Sequence, residues 1–344
     1  LKKNNKAIDL INKSLIETPN NLLLNQMKFD LKNERPLSNG FNCTDSTNII
    51  AEIFYVVSNA LSSQLFYNYS NFYLNLAKFL NPNFISYNTL VAENLYMSEK
   101  LPAAKIKFDK ILSYGEAYEW YAAKQIASIL EAEKKEKLSI TFLNKKFKKI
   151  KNPTVYQLYD FASFLKNNEK YQESIYYYTK VLDLIDNNHK LYPKVKDGRG
   201  IAFERTNQWK KAEKDFLDSL DFDSEQAYVI NYLAYSWIEK GINIEKALNM
   251  LKKANDLKKN DGYITDSLGW AYYKLQRYTD AEKYLQRAVK LMPSDPIVND
   301  HYGDSLWKNG KKLQARYYWT YVLNLNNIEK DLKDKLNKKL IFGL

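Results

Sequence analysis

The chain has 344 residues, 45% of them hydrophobic and 27% charged, a balance that builds a buried core and excludes a disordered tail. Its 28 Tyr and 16 Phe against 10 Gly and 8 Pro supply much packing surface and few obligatory turns, which favours helices over a many-turned β architecture. The net charge of +12 is spread over stretches such as KKNNKAIDLINK with Asp and Glu interleaved elsewhere, as on solvated helix faces, so charge alone names neither nucleic acid nor membrane as partner.

At the front, Ala7, Ile11, Ser14 and Pro19 have the spacing of the second helix of a hairpin, so residues 1–29 are predicted to be a partial hairpin. The chain opens on Leu1 and not on Met; the missing first helix, with any signal peptide, lipid anchor or further domain, is expected upstream. Residues 30–46, with Asn33, Pro36, Ser38, Asn39 and Gly40, read as an irregular connector. The most apolar stretch follows, at 49–67. Glu52, Asn59 and Gln64 interrupt it well short of the roughly 18 apolar residues of a membrane span, and it reads as an amphipathic helix.

From there a period takes over. Small residues recur at Ser70, Ala104, Ser139, Ser174, Ala212, Ala247, Ala281 and Ala315, in steps of 34, 35, 35, 38, 35, 34 and 34. A second series, Ala92, Ala127, Ala162, Gly200, Ala234, Gly269 and Gly303, runs 12 or 13 residues ahead of the first. Where two antiparallel helices cross closely only Gly, Ala or Ser lets the backbones approach, so the paired series predict one helix hairpin per period. In one copy Leu268, Tyr272 and Leu275 form a helical stripe before a turn at Gln276 to Tyr278, and Ala281, Leu285, Ala288 and Val289 form another after it. Pro293 is expected to end that second helix, Pro296 to sit in the first turn of the next, and Asp261 and Asp295 to cap helix starts. The step of 38 marks a longer loop at 187–193. Copies within 47–190 are divergent, and Lys146 stands where a small residue should pack, which makes the unit at 120–152 the weakest. Residues 191–327 are regular, and 328–344, with Ile328, Leu332, Leu336 and Leu340 on a Lys-rich helix, read as a terminal cap.

Leu268, Gly269, Tyr272, Tyr278, Ala281, Leu285, Ala288 and Pro293 carry a resemblance to the tetratricopeptide (TPR) repeat family. The next copy keeps Gly303, Gly310, Ala315 and Trp319 but has Asn327 where the Pro belongs. The resemblance implies an all-α solenoid, a right-handed superhelix of antiparallel helix hairpins, acting as a protein-protein interaction scaffold or adaptor. The stretch from Leu191 to Leu325 also resembles bacterial multi-TPR proteins that are often exported. That implies a periplasmic or envelope-associated location, with a cytoplasmic one as the alternative.

No phosphate loop, dinucleotide fingerprint, nucleophile elbow or paired-Cys metal motif occurs, so no catalytic, cofactor-binding or metal-binding residue is assigned and no enzyme activity is expected. Cys43 lacks a local catalytic signature. His301, between Asp300 and Asp304, reads as a satisfied structural histidine, and His189 as a solvated loop residue. In TPR arrays the first helix of each hairpin lines a groove. In this register its exposed positions are Tyr228, Asn231, Tyr235, Ile238, Tyr263, Asp266, Trp270, Tyr273, Ile297, Asp300, Asp304 and Trp307. Rigid rings among polar groups suit a peptide or protein segment. The three Asp stand where a chaperone-binding carboxylate clamp needs Lys, Arg or Asn, so they favour basic or neutral ligand groups. RNA binding by a basic helical-repeat surface is the competing reading, and a recruitment arm for an upstream domain is a third.

Overall fold

A computed structural model describes residues 2–37, 40–326 and 328–344; Ser38 and Asn39 of the connector and Asn327 lie outside the described residues. Among the described residues there are nineteen helices and no strand. The chain divides into two compact units, Leu1–Gln157 and Leu158–Leu344. That division lies earlier than position 191, where the sequence turns from divergent to regular.

In the first unit, α1 (Lys2–Glu17) and α2 (Leu22–Lys32) precede three hairpins. These are α3 (Ser46–Ser63) with α4 (Tyr67–Leu80), α5 (Ser86–Met97) with α6 (Leu101–Ile111), and α7 (Glu116–Ala132) with α8 (Glu136–Phe147). In the second unit, entered within the first turn of α9 (Val155–Asn167), α9 pairs with α10 (Tyr171–Leu182) and α11 (Tyr192–Arg205) with α12 (Trp209–Phe222). Then come α13 (Ala227–Lys240) with α14 (Ile244–Leu257), α15 (Gly262–Lys274) with α16 (Tyr278–Leu291), and α17 (Pro296–Lys308) with α18 (Lys312–Leu323). The last helix, α19 (Lys330–Phe342), packs on α18.

The small-residue rule accounts for the crossings. All eight members of the first series are fully buried. Where Ser replaces Ala, its hydroxyl donates across the crossing to a carbonyl of the other helix: Ser70 to Ser58, Ser139 to Ala127 and Ser174 to Ala162, each at 2.9 Å. The partner carbonyl stands 12 residues earlier in each case, so the two sequence series are the two sides of one contact. The glycines answer larger residues, since a Cβ on Gly200 would stand 2.7 Å from Phe216 and one on Gly303 2.5 Å from Trp319.

The turns within the hairpins share one geometry. Leu65, Glu99, Lys134, Glu169, Asn207, Gly241, Gln276 and Gly310 all have a positive φ. The residue after each donates its N–H to a carbonyl five residues back, as Arg277 does to Tyr272 at 2.9 Å and Lys311 to Leu306 at 2.9 Å. This is the Schellman closure, which satisfies helix-end carbonyls at the cost of one left-handed residue. A side chain pays for that conformation and glycine does not. Gln276→Gly is therefore expected to stabilise the second unit by about 0.5–1 kcal/mol in urea unfolding.

Other local expectations hold. The Asp261 and Asp295 carboxylates accept from Ile264 and from Ile297 and Val298 at 2.9–3.1 Å, and Pro296 opens α17. The unit at 120–152 does form its hairpin; Lys146, in the place of a small residue, reaches back to Glu119 at 2.7 Å. His189 differs from the solvated residue expected. It is half-buried and its Nδ1 accepts from the Leu191 N–H at 3.1 Å, shaping the long loop.

Candidate functional site

In the second unit α13, α15 and α17 lie side by side. Their lining residues fall into register rows, and one row runs Asp197, Asn231, Asp266, Asp300, one residue from each of α11, α13, α15 and α17. An acid or amide at the same place in the first helices of four successive hairpins makes a polar track by register. Its two ends are treated differently by the rest of the chain.

At the C-terminal end the track is filled by the protein itself. Lys339 of α19 places its ammonium 2.5 Å from both Asp300 and Asp304, and all three side chains are at most 5% exposed. Lys335 adds a contact to Asp300 at 3.2 Å, and the Trp319 indole N–H donates to Asp304 at 3.1 Å. Burial, and then the neighbouring Asp300, raise the Asp304 carboxyl, while Lys339 pulls it back. One helix earlier, His301 Nδ1 stands 2.9 Å from Asp266, its partner across the repeat in place of the adjacent Asp300 and Asp304. Burial alone would lower the imidazole, but Asp266 above all, with its hydrogen bond, turns the net shift upward. That ring stacks on Trp270 at 3.9 Å, and Trp270 stacks on Tyr273 at 4.6 Å, while the indole N–H donates to Glu239 at 2.6 Å.

The exposure expected of the lining is therefore corrected at five positions. Ile238, Asp266, Trp270, Asp300 and Asp304 are buried. Ile238 joins the apolar core, and the other four are covered by the histidine stack and by α19. Tyr273 and Trp307 are half-buried, the latter tilted against Trp319 at 5.3 Å. Tyr228, Tyr263 and Ile297 are exposed as expected; the Tyr228 hydroxyl donates to Asp261 at 3.0 Å and Lys258 lies over its ring.

The N-terminal end of the track is open. Asn231 Oδ1 is buried and has no hydrogen-bond partner. The Asp197 carboxyl is pushed up to about 6, chiefly by burial, with Lys166 opposing. No cation lies within 4 Å of it among the described residues. Tyr235, half-buried one turn on from Asn231 in α13, has its hydroxyl raised by burial and then by Glu239 and Asp266. Asp197 was missed in the sequence, although carrying the row back 34 residues from Asn231 reaches it.

Asp197 has a testable cost. An acid whose folded pKa exceeds its unfolded one contributes stability below the unfolded value that is lost as pH rises through the folded one. A shift from 3.8 to about 6 sets an upper bound of about 3 kcal/mol. Asp197→Asn is expected to stabilise the protein by about 1–2 kcal/mol at pH 7.5 and to remove this group's share of the decline between pH 4 and 7. Urea unfolding across that range checks both.

Comparison with known proteins finds the same repeat over part of the chain. The family model described as tetratricopeptide repeat matches residues 266–295. The TPR repeat-containing protein PA4667 of Pseudomonas aeruginosa is 29% identical over 146 residues, 42% of this chain; the chain spans about a quarter, 23%, of that relative's length. Among solved structures, the TPR protein TTC0263 of Thermus thermophilus is 14% identical, with 55% of this chain and 100% of that one covered and a TM-score of 0.47. For pilF of Pseudomonas aeruginosa the identity is 18%, the coverage 55% and 86%, and the TM-score 0.45. Residues 266–295 thus match the tetratricopeptide repeat, and helix hairpins of the same register stand on both sides of them.

Proposed function

We propose that the protein is an interaction scaffold whose second unit binds a peptide or protein segment at the open end of the polar track, around Asp197, Asn231 and Tyr235. One observation carries this reading. The same row is answered by the chain's own His301 at Asp266 and Lys339 at Asp300, and left unanswered at Asp197 and Asn231. A desolvated acid and an unpaired amide oxygen are both acceptors, and holding them in that state costs stability that a ligand's donors would return. The segment that fits offers Lys, Arg or amide N–H groups to this pair and apolar or aromatic side chains to Tyr228, Tyr235 and Tyr263. The acidic track argues against a phosphate backbone as ligand, because phosphates need Lys or Arg there.

The test is a selection of random peptides displayed on phage against the whole protein, followed by titration of the winners on variants. Basic residues are expected to be enriched. Asp197→Asn and Tyr235→Ala are each expected to weaken binding at least tenfold, the first in a protein more stable than wild type, so that loss of fold cannot explain it. Winners that bind all three proteins equally would overturn the reading. So would a shift of single-stranded RNA at physiological salt that Asp197→Asn leaves unchanged.

A further inference from the structure

The first hairpin of the first unit has a face that six of the seven other hairpins cover with a buried apolar residue, α9 having the half-buried Gln157 there. Five residues before the small residue of each first helix stands a position that packs on the preceding second helix. In α5, α7, α11, α13, α15 and α17 it is Tyr87, Ala122, Val195, Val229, Ile264 and Val298, none more than 4% exposed. In α3 it is Ile53, 56% exposed, and Ile49, Val56 and Val57 continue the bare stripe. Covering is done by a recognisable type of helix: Ile264 is enclosed by Met250 and Ala254 of α14, a long side chain and an alanine four residues apart, together with Ala227 and Ile230 of α13.

Among the described residues no such helix stands just before α3. α2 ends in the same left-handed closure as the first helices, with Glu34 at φ 54° and the Arg35 N–H bonded to Asp30 at 2.8 Å. Elsewhere a second helix starts about two residues on; here Pro36 follows and no helix begins before Ser46 among the described residues. α2 packs instead on α7, where the Gln26 amide oxygen accepts from the Ala117 N–H at 3.0 Å. A second observation concerns charge. Glu52 lines a recess together with Phe41, Ile49, Ile53, Val56 and Val57. Its Oε2 is buried without a hydrogen-bond partner, and burial raises the carboxyl. An aliphatic stripe bordered by an acid with one unpaired oxygen is complementary to an apolar helix face that carries one cation.

We infer that the α3 face is a docking site for one amphipathic helix of a partner protein, which stacks there as the missing second helix. That helix presents a long aliphatic residue and an alanine four positions apart and a Lys or Arg to Glu52. Recognition is of the helix-in-groove kind, with the repeat register supplying the geometry. The site is separate from the polar track of the second unit, so either can fail alone.

The probe is a fluorescein-labelled peptide of residues 244–258 of this chain, the helix that covers Ile264, titrated with the whole protein by fluorescence anisotropy. Saturable binding is expected, at least tenfold weaker for Ile53→Asp and for Val56→Asp, and unchanged for Leu313→Asp, which alters an exposed leucine elsewhere. Glu52→Gln is expected to weaken this peptide by about threefold to tenfold, and to leave unaffected a version whose lysines are replaced by norleucine. Both stripe residues are exposed, so circular dichroism melts of the variants are expected to match wild type, and two variants guard against one misfolding. Absence of saturable binding would overturn the inference, as would equal binding by wild type and both stripe variants. Self-association abolished by Ile53→Asp, without peptide binding, would overturn it too by assigning the face to a second copy.

Discussion

Replacing Lys339 by Met is expected to destabilise the second unit by about 3–5 kcal/mol in urea unfolding, the cost of leaving buried charge without its partner. Lys339 is the shared counter-ion of Asp300 and Asp304, and its side chain is only 5% exposed, so water cannot replace it without opening α19. Lys335 reaches Asp300 alone and is half-exposed, so it compensates little. The sign of the pH response separates this account from simple loss of packing. Without the ammonium, protonation of the acid pair becomes the remaining way to relieve it. Folded pKa values above unfolded ones give stability that is present at acid pH and lost as pH rises. The deficit of Lys339→Met is therefore expected to shrink on going from pH 8 to pH 5, and the further changes Asp300→Asn and Asp304→Asn are expected to recover much of it. A deficit that is constant with pH would mean that methylene packing dominates.

Phe216→Ala is expected to cost about 3–5 kcal/mol, the range for emptying a buried aromatic site. Phe216 is fully buried, lies over Gly200 and packs on Tyr232 at a centroid distance of 5.3 Å. The glycine makes the effect more specific than cavity formation. Gly200→Ala alone would put a Cβ 2.7 Å from the ring, and overpacking of that kind costs about 1–3 kcal/mol. In the Phe216→Ala background the same methyl enters vacated space and adds helix propensity, worth about 1 kcal/mol. The change at Gly200 should therefore switch from destabilising to stabilising between the two backgrounds, a coupling that a double-mutant cycle measures directly.

The hairpin plan was legible in the sequence because the crossings depend on residue size, and size recurs visibly: Ala281 and Ala315, Gly269 and Gly303. Asp261, Asp295 and Pro296 declared helix starts for reasons confined to a few neighbouring residues. The lining was harder to read because each lining residue is decided by a partner far along the chain. Trp270 is covered through Glu239 and His301, 31 residues away in either direction, and Asp300 is covered by Lys339, 39 residues on. Periodicity says which way such a side chain points and nothing about what arrives on top of it. The Lys-rich terminal helix illustrates the same limit. Its lysines read as a solvated face, yet Lys339 is among the most buried charges in the protein. The docking of α2 on α7, with Gln26 and Ala117 separated by 91 residues, left no periodic trace at all.

The lysine of α19 also bears on assembly. Solenoid hairpins stack by the same contacts whether the next one belongs to the same chain or to another, so a protein with matching open faces at both ends would polymerise without limit. Here α19 seals the last hairpin with buried ion pairs, while α3 leaves its face bare. Within the second unit the stacking position after α18 is occupied by the chain's own helix, and a neighbour could take it only by breaking the Lys339 ion pairs.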